Sequence, residues 1–402
     1  MADLTTEQKL ALLKRNLSEV LDQQIIEDVY KQGRDPVIYW GTATTGRPHT
    51  GYLVPALKLA DFLRAGAHVT VLLADIHGFL DNLKAPIEIV QHRAEFYRFT
   101  ITALLKAVGV DTSKLRFILG SDYQKTPEYI MDLYKLASIT SEHDAKKAGA
   151  EVVKQSAAAP LSGLLYPLLQ VLDEQYLGAD VQFGGVDQRK LFTAAKEWLP
   201  KLGYKERAHL MNPMIPSLQG AGAKMSSSDP DSKIDLLDTA EAVTKKVKKA
   251  LAVPKEADGN GLLAFTEYVL LPASELKHGR PEFRVDRSRD NLEDLVFTDI
   301  ASMTQAYRDD VLTPQLLKPA VTKAINELLA PIQAEFQASK EWQEVTLKAY
   351  PPEEKPKKVK KVKDKGSRHP GAGKPAEKNE KPLEGDAAIA QLKISEDQPN
   401  DL

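Results

Sequence analysis

The chain has 402 residues, enough for two or three domains of ordinary size, with 43% apolar and 27% charged residues. It contains no cysteine, which excludes disulfides and thiolate metal sites and suits a reducing compartment. The net charge of −2 hides an asymmetry, since Lys355 to Arg368 hold eight basic residues against one acid, and Lys381 to Leu402 hold two lysines against five acids. A basic stretch of this kind fits a polyanionic partner or a solubilising tail equally well. No apolar run reaches the ~18 residues of a membrane helix. The start, Met1 to Arg15, lacks a hydrophobic signal core. A cytoplasmic protein with no membrane partner is expected.

Strand and helix signals alternate along the first part of the chain. Val37 to Trp40 is β-prone and ends at Gly41. A Thr/Gly/Pro loop follows, then an amphipathic helix from Gly51 to Arg64, with Leu53, Leu57, Ala60 and Leu63 near helical spacing. His68 to Ala74 is a continuous apolar strand of the buried parallel type. A helix is expected from Pro86 to Val108, a strand at Leu115–Leu119, and helices at Pro127–Ile139, Ser141–Gln155 and Pro167–Tyr176. Asp180–Phe183 is a fourth strand, closed by Gly184-Gly185, and Asp187–Leu199 a further helix. Repeated βα units imply an α/β fold with a doubly wound parallel sheet, whose ligands sit at the C-terminal strand ends. After Ser232 the pattern turns helical, at 239–251, Gly261–Val269, Asn291–Tyr307 and Thr313–Tyr350. From Pro351 onward, Pro, Lys, Gly and Glu predict disorder.

Gly41-Thr42-Ala43-Thr44-Thr45-Gly46-Arg47-Pro48-His49-Thr50-Gly51-Tyr52 joins a buried strand to a helix. A glycine-bearing loop at a helix start suits polyphosphate, because unsatisfied N–H groups point outward there. His49 can stabilise charge on a transferring phosphate. Taken alone the segment is an ordinary βα loop, and it is neither a P-loop nor a Rossmann Gly-x-Gly-x-x-Gly. Much later, Lys224-Met225-Ser226-Ser227-Ser228 combines a cation with three hydroxyls between flexible flanks. A lysine there can close on phosphates as pyrophosphate charge develops. Alone, it reads equally as a serine-rich linker. Tyr166, Gln170 and Asp173 fall at i, i+4 and i+7, on one face of an otherwise apolar helix. Buried unpaired polar groups cost ~1–3 kcal/mol each, which favours a ligand face over a solvated stripe. Pro167 fits the first turn, with Tyr166 at the helix entry. Gly184-Gly185-Val186-Asp187-Gln188 at a strand end is a competent ribose site and also a common turn. Ala74, Asp75 and His77 are expected to line the same cleft, with a structural role for His77 as open as a catalytic one.

Together, the two phosphate motifs resemble the class I aminoacyl-tRNA synthetases, whose signatures are His-x-Gly-His and Lys-Met-Ser-Lys-Ser. Tyr52 stands in place of the second histidine and Ser227 in place of the second lysine. Both departures are similar to those of the eukaryotic cytosolic tyrosyl branch, as are Lys146 to Gln155 and Ala208 to Pro216. The resemblance, over residues 35–350, implies a Rossmann-like catalytic domain at 35–231 and an α-helical anticodon-binding domain at 232–350. A helical segment at 1–34 and a disordered basic tail at 351–402 flank them. It implies activation of tyrosine by ATP with Mg²⁺, then transfer to tRNA(Tyr), by a homodimer without a tightly bound metal site or editing domain.

The implied roles follow motif by motif. His49 and Lys224 contact the transition state. Gly41, Thr42, Gly51, Tyr52, Met225, Ser226, Ser227 and Ser228 belong to the ATP site. Tyr166 and Gln170 hold the substrate's α-amino group, and Asp173 with Tyr39 pairs its phenol. Gly184 and Gly185 pack near adenosine, Asp187 pairs with ribose hydroxyls, and Gln188 touches the amino acid. Phenylalanine would leave Asp173 and Tyr39 unpaired; tyrosine-specific synthetases are the standard example of this asymmetry, at roughly 10⁵-fold without editing. Phe265, His278, Phe283 and Arg284 are candidates for stacking on anticodon bases. The basic tail would add RNA affinity or act as a nuclear import signal. Two alternatives stand beside this reading: the tryptophanyl enzyme, and an inactive RNA-binding protein on the same scaffold.

Overall fold

A computed structural model describes residues 4–81, 85–110, 112, 115–153, 160–218, 220–224 and 233–352, with the backbone alone at 221–224. The expected tail is therefore outside the described residues apart from Pro351 and Pro352. Residues 1–351 form one compact unit.

The chain enters through α1 (Thr6–Lys14), opened by a capping box in which the Thr5 side chain accepts from Gln8 N–H and Gln8 returns the bond. The segment 1–34 is not helical throughout. A short strand, β1 (Glu19–Leu21), lies between α1 and α2 (Gln23–Lys31) and forms the antiparallel edge of the main sheet. β2 (Val37–Ala43) runs three residues beyond Trp40, because Gly41, Thr42 and Ala43 pair with Leu72, Leu73 and Ala74 of β3. A 3-10 turn at Thr50–Tyr52 leads into α3 (Leu53–Arg64), and β3 (His68–Ala74) runs directly into α4 (Asp75–Asp81). Then follow α5 (Ile87–Ala107), β4 (Leu115–Leu119), α6 (Gly120–Tyr123) and α7 (Pro127–Ile139). The helix expected at 141–155 is only α8 (Glu142–Ala148), capped by Ser141 and ended at Gly149.

α9 (Ser162–Tyr176) begins five residues before the expected start, so Pro167 lies inside the helix and Tyr166 a turn from its entry. Proline forfeits one intrahelical bond there. Packing of α9 against α4, α7, α8 and α10 sustains the turn. β5 (Val181–Gly185) is followed by a 3-10 turn at Val186–Gln188, α10 (Arg189–Trp198) and β6 (Ala208–Asn212). The strand order is β1-β6-β5-β2-β3-β4, parallel except for β1. The chain winds from β2 through β3 to β4, then crosses to β5 and β6 on the other side. The switch point therefore lies between β2 and β5, where α/β sheets open a ligand crevice.

The two faces of the sheet differ in chemistry. Ile38, Val69, Val71, Val181, Phe183 and Leu210 belong to one core with α3 and α5. On the other face a register row runs Thr70, Tyr39, Gln182, His209, all buried and, apart from the Tyr39 ring, polar. That face is covered by α9.

A hairpin of β7 (Pro216–Ser217) and β8 (Gly220–Lys224) precedes the helical part. α11 (Ala240–Lys249) is capped by Thr239. α12 (Gly261–Phe265), a π turn at Thr266–Leu270 and α13 (Leu271–His278) continue without a break, past the expected end at Val269. The helix expected at 291–307 is part strand: β10 (Leu295–Phe297) pairs with β9 (Phe283–Val285), burying Phe297 against Phe283, and α14 covers only Ile300–Arg308. The long helix expected at 313–350 is two, α15 (Pro314–Ala338) and α16 (Lys340–Ala349). Ser339 adopts an extended conformation and caps α16 by accepting from Trp342 N–H. The break lets Trp342 stack on Phe99 of α5 at 5.8 Å and meet Phe336 edge-on at 5.2 Å. The sheet and the helical part thus share one continuous core. Among the described residues, no helix is long and apolar enough to cross a membrane.

Candidate active site

At the β2–β5 switch point lies a cavity of about 390 Å³. The expected residues Tyr39, Gly41, Thr42, His49, Gly51, Tyr52, Tyr166, Gln170, Asp173, Gly184, Gly185, Asp187 and Gln188 all line it. Segments far apart in sequence are therefore brought to one crevice. Lys224 ends β8 and is described by its backbone alone; Met225, Ser226, Ser227 and Ser228 are outside the described residues.

The loop after β2 is held by backbone and side chain together. His49 caps the 3-10 turn, and its Nδ1 accepts from Gly51 N–H at 3.1 Å. The neutral ring therefore carries its proton on Nε2, leaving a donor for an anion. Burial and the nearby Lys233 push the His49 pKa down to about 4, against a smaller upward pull from Asp235, so the ring is neutral near pH 7. Thr50 N–H donates to Ile234 O at 2.9 Å, the Arg47 guanidinium pairs with Asp235 at 2.7 Å, and Lys233 Nζ donates to Arg47 O at 3.1 Å. Gly46 O accepts from two phenols, Tyr97 at 2.6 Å and Tyr350 at 3.0 Å. Tyr52 extends this chain, donating to Tyr97 Oη at 3.4 Å and sharing a bond of 3.2 Å with Thr42. The motif loop is thus stapled by the segment that re-enters the described structure at residue 233 and by Tyr350 at the end of α16.

The α9 stripe faces the polar row of the sheet, as its spacing requires. Asp173 is 1% exposed. Its Oδ1 accepts from Tyr123 at 2.7 Å, Gln124 Nε2 at 2.8 Å and Tyr129 at 3.0 Å. Oδ2 lies 3.9 Å from His77 Nε2. Burial drives the Asp173 pKa up to about 7, and the bonds from Gln124, Tyr123 and Tyr129 restrain the rise. Tyr39 is 1% exposed, and its Oη finds no hydrogen-bond partner among the described residues. Burial, then Glu174 and Asp173, raise its pKa well above the usual phenol value, so it remains a neutral hydroxyl. Beside them Glu174 bonds His209 of β6 at 2.7 Å.

Gln170 Nε2 donates to Gln188 Oε1 at 3.0 Å, and Tyr166 packs edge-on against His77 with ring centroids 4.6 Å apart. Ala74 and His77 line the cavity. Asp75 does not: it is fully buried and accepts Ser121 N–H at 2.9 Å. At Gly184 and Gly185 the backbone approaches closely. A Cβ on Gly184 would sit 2.9 Å from Gln188 Cγ, and one on Gly185 would sit 2.6 Å from Asp187 Oδ1. Larger residues would displace both polar side chains from the cavity wall.

Sequence reading did not single out Gln182 and Asn212, which also line the cavity. Gln182 was detectable as a polar residue within an apolar strand. The donors to Asp173 and the staples at Lys233, Asp235 and Tyr350 carry no local signal. Two stacking candidates are corrected: Phe265 and Phe283 are buried in the core, whereas His278 and Arg284 are exposed. Among the described residues, no group of three or more His, Asp or Glu side chains is placed to hold a metal ion.

The family model of the class I tRNA synthetases (W and Y) matches residues 31–330. The chain is 53% identical over 378 residues to the cytoplasmic tyrosine–tRNA ligase of Saccharomyces cerevisiae, covering 93% of this chain and 96% of that protein. It is 49% identical to the cytoplasmic tyrosine–tRNA ligase of Danio rerio, over 87% of this chain and 64% of that one. A crystal structure of tyrosyl-tRNA synthetase from Archaeoglobus fulgidus, complexed with L-tyrosine, is similar at 32% identity and a TM-score of 0.75, covering 82% of this chain and 99% of that chain. With the crevice, the stripe and the stapled loop, these likenesses establish that the chain belongs to the class I tRNA synthetases, within the tyrosine–tRNA ligase family.

Proposed function

We propose that this chain is a tyrosine–tRNA ligase that activates L-tyrosine with ATP and transfers it to tRNA(Tyr) for cytoplasmic translation. The observation that carries the choice of amino acid is the buried pair Tyr39 and Asp173, an unpartnered phenol and a carboxylate in one cavity. A tyrosine hydroxyl both donates and accepts and so uses both groups; a tryptophan N–H only donates and uses one. Tyr166, Gln170 and Gln188 hold the α-amino end. Gly184 and Gly185 let adenosine approach, and Asp187 pairs with its ribose. Gly41, Thr42, Gly51 and Tyr52 form the wall beside the phosphates.

ATP enters as substrate with Mg²⁺ on its phosphates. The tyrosine carboxylate attacks the α-phosphorus, the bond to pyrophosphate breaks, and tyrosyl-adenylate remains. A ribose hydroxyl of the terminal tRNA adenosine then attacks the adenylate carbonyl, and AMP leaves. No side-chain nucleophile is required; the chain orients the reactants and stabilises charge. His49 donates from Nε2 to the phosphates, and Lys224, with the hydroxyls of Ser226 to Ser228, supplies charge and hydrogen bonds to the departing pyrophosphate.

Residues 35–231 carry this chemistry and 232–350 meet the tRNA. Lys245, Lys248 and Lys249 are exposed on α11, whose apolar Val243 and Val247 face the core, and they suit phosphate contacts. The basic run Lys355–Arg368 adds RNA affinity or serves nuclear import. Homodimer formation is supported by exposed apolar residues on α7, Met131 and Tyr134, the latter 63% exposed.

ATP–pyrophosphate exchange tests the assignment: it is expected with tyrosine and not with tryptophan, and the reverse would overturn it. In Asp173→Ala the exchange with tyrosine should fall roughly 10- to 150-fold while the circular dichroism stays native, since a hydrogen bond to a charged group is worth about 1.5–3 kcal/mol. Near-normal turnover in that variant would refute the role given to Asp173.

A further inference from the structure

We propose that Tyr123, Gln124 and Tyr129 are specificity-determining positioning residues, which occupy one oxygen of Asp173 so that the other meets the substrate's phenol. The inference rests on the tyrosine-binding reading of Asp173 given above. Three donors from α6, α7 and the turn between them converge on Oδ1, at 2.7, 2.8 and 3.0 Å. A carboxylate oxygen with three donors has no room for a fourth. Oδ2 accepts no hydrogen bond among the described residues, and Asp173 lines the cavity that also holds the free Tyr39 Oη. The donors are themselves fixed. Tyr129 shares its one hydroxyl proton between Asp173 Oδ1 and Leu169 O, the latter at 2.9 Å, and packs on Tyr176 at 4.7 Å, and Tyr123 stacks on Tyr176. Tyr176 is held by Asp132 at 2.8 Å. The carboxylate is thus clamped from the side away from the ligand.

The clamp has an electrostatic consequence. Burial raises the Asp173 pKa to about 7, and each of the three donors favours the charged form. The titratable groups facing it are Tyr123 and Tyr129 from α6 and α7, His77 from α4, Tyr39 from β2, and Tyr166 and Glu174 from its own helix. Removing a donor makes the carboxylate easier to protonate. The acid limb of tyrosine activation then moves to higher pH.

The test is ATP–pyrophosphate exchange by the full chain with tyrosine and with phenylalanine, from about pH 5.5 to about pH 9. Wild type is compared with Tyr129→Phe and, as the milder change at a half-buried site, Tyr123→Phe. The expected result is a roughly tenfold fall in kcat/KM for tyrosine near neutral pH. Phenylalanine should be unaffected, and the acid limb should rise by about one pH unit. The tyrosine deficit should narrow at alkaline pH. An equal loss for both amino acids with an unmoved pH profile would mean that the phenols only support the fold, and would overturn the inference. So would full tyrosine activity in both variants. If Tyr129→Phe does not fold, Tyr123→Phe alone decides. A wild-type protein with no preference for tyrosine over phenylalanine would instead remove the underlying reading of Asp173, and the inference with it.

Discussion

His49 illustrates how one residue's surroundings set both its chemistry and its cost. Burial, with Lys233 nearby, lowers its pKa from 6.5 to about 4. The unfolded chain therefore binds a proton below pH ~6.5 that the folded chain refuses until pH ~4. Its contribution to stability is fully present above the unfolded value and is lost as pH falls through that window, by about 3 kcal/mol in total. The stability difference between wild type and His49→Asn should accordingly shrink by about that amount between pH 7 and pH 4. Paired denaturant melts measure it, and a difference independent of pH would contradict the assigned burial. Asp173 acts in the opposite sense, with its raised pKa favouring the fold as pH falls through about 7. The variant comparison isolates His49 from it.

At the scale of elements, the legible parts were those set by local pattern. The apolar run His68–Ala74 and the i, i+4, i+7 stripe on α9 both emerge as read, because burial on both faces and helical spacing leave a direct trace. The misplaced boundaries came from long-range partners. β10 exists because Phe297 finds Phe283, and the 313–350 helix breaks at Ser339 because Trp342 packs on α5. The staple of the His49 loop is of the same kind, since nothing near Arg47 announces Asp235. Asp235→Ala removes the Arg47 pair, worth roughly 1 kcal/mol at its partial exposure. It should raise the KM for ATP roughly three- to tenfold and leave the KM for tyrosine nearly unchanged. Steady-state exchange kinetics distinguish the two, and an equal rise in both constants would show that the loop is not what the pair holds.

Across the whole molecule, the catalytic crevice depends on helices remote from it. α15 and α16 join the core of the sheet through α5, and Tyr350 at the end of α16 reaches Gly46 O beside the motif. Trp342 is 1% exposed at this junction. Trp342→Ala should cost about 3–5 kcal/mol, the range for a buried aromatic truncated to alanine. Thermal unfolding followed by exchange activity should show both signals lost in one transition. Loss of the helical part first, with activity retained, would contradict a shared core. Residues 35–231 and 232–350, the parts proposed for chemistry and for tRNA binding, lie within a single compact unit. The account as a whole is tested most directly by charging total tRNA with each of the twenty amino acids. It predicts that tyrosine alone is attached, and attachment of tryptophan, or of no amino acid at all, would contradict it.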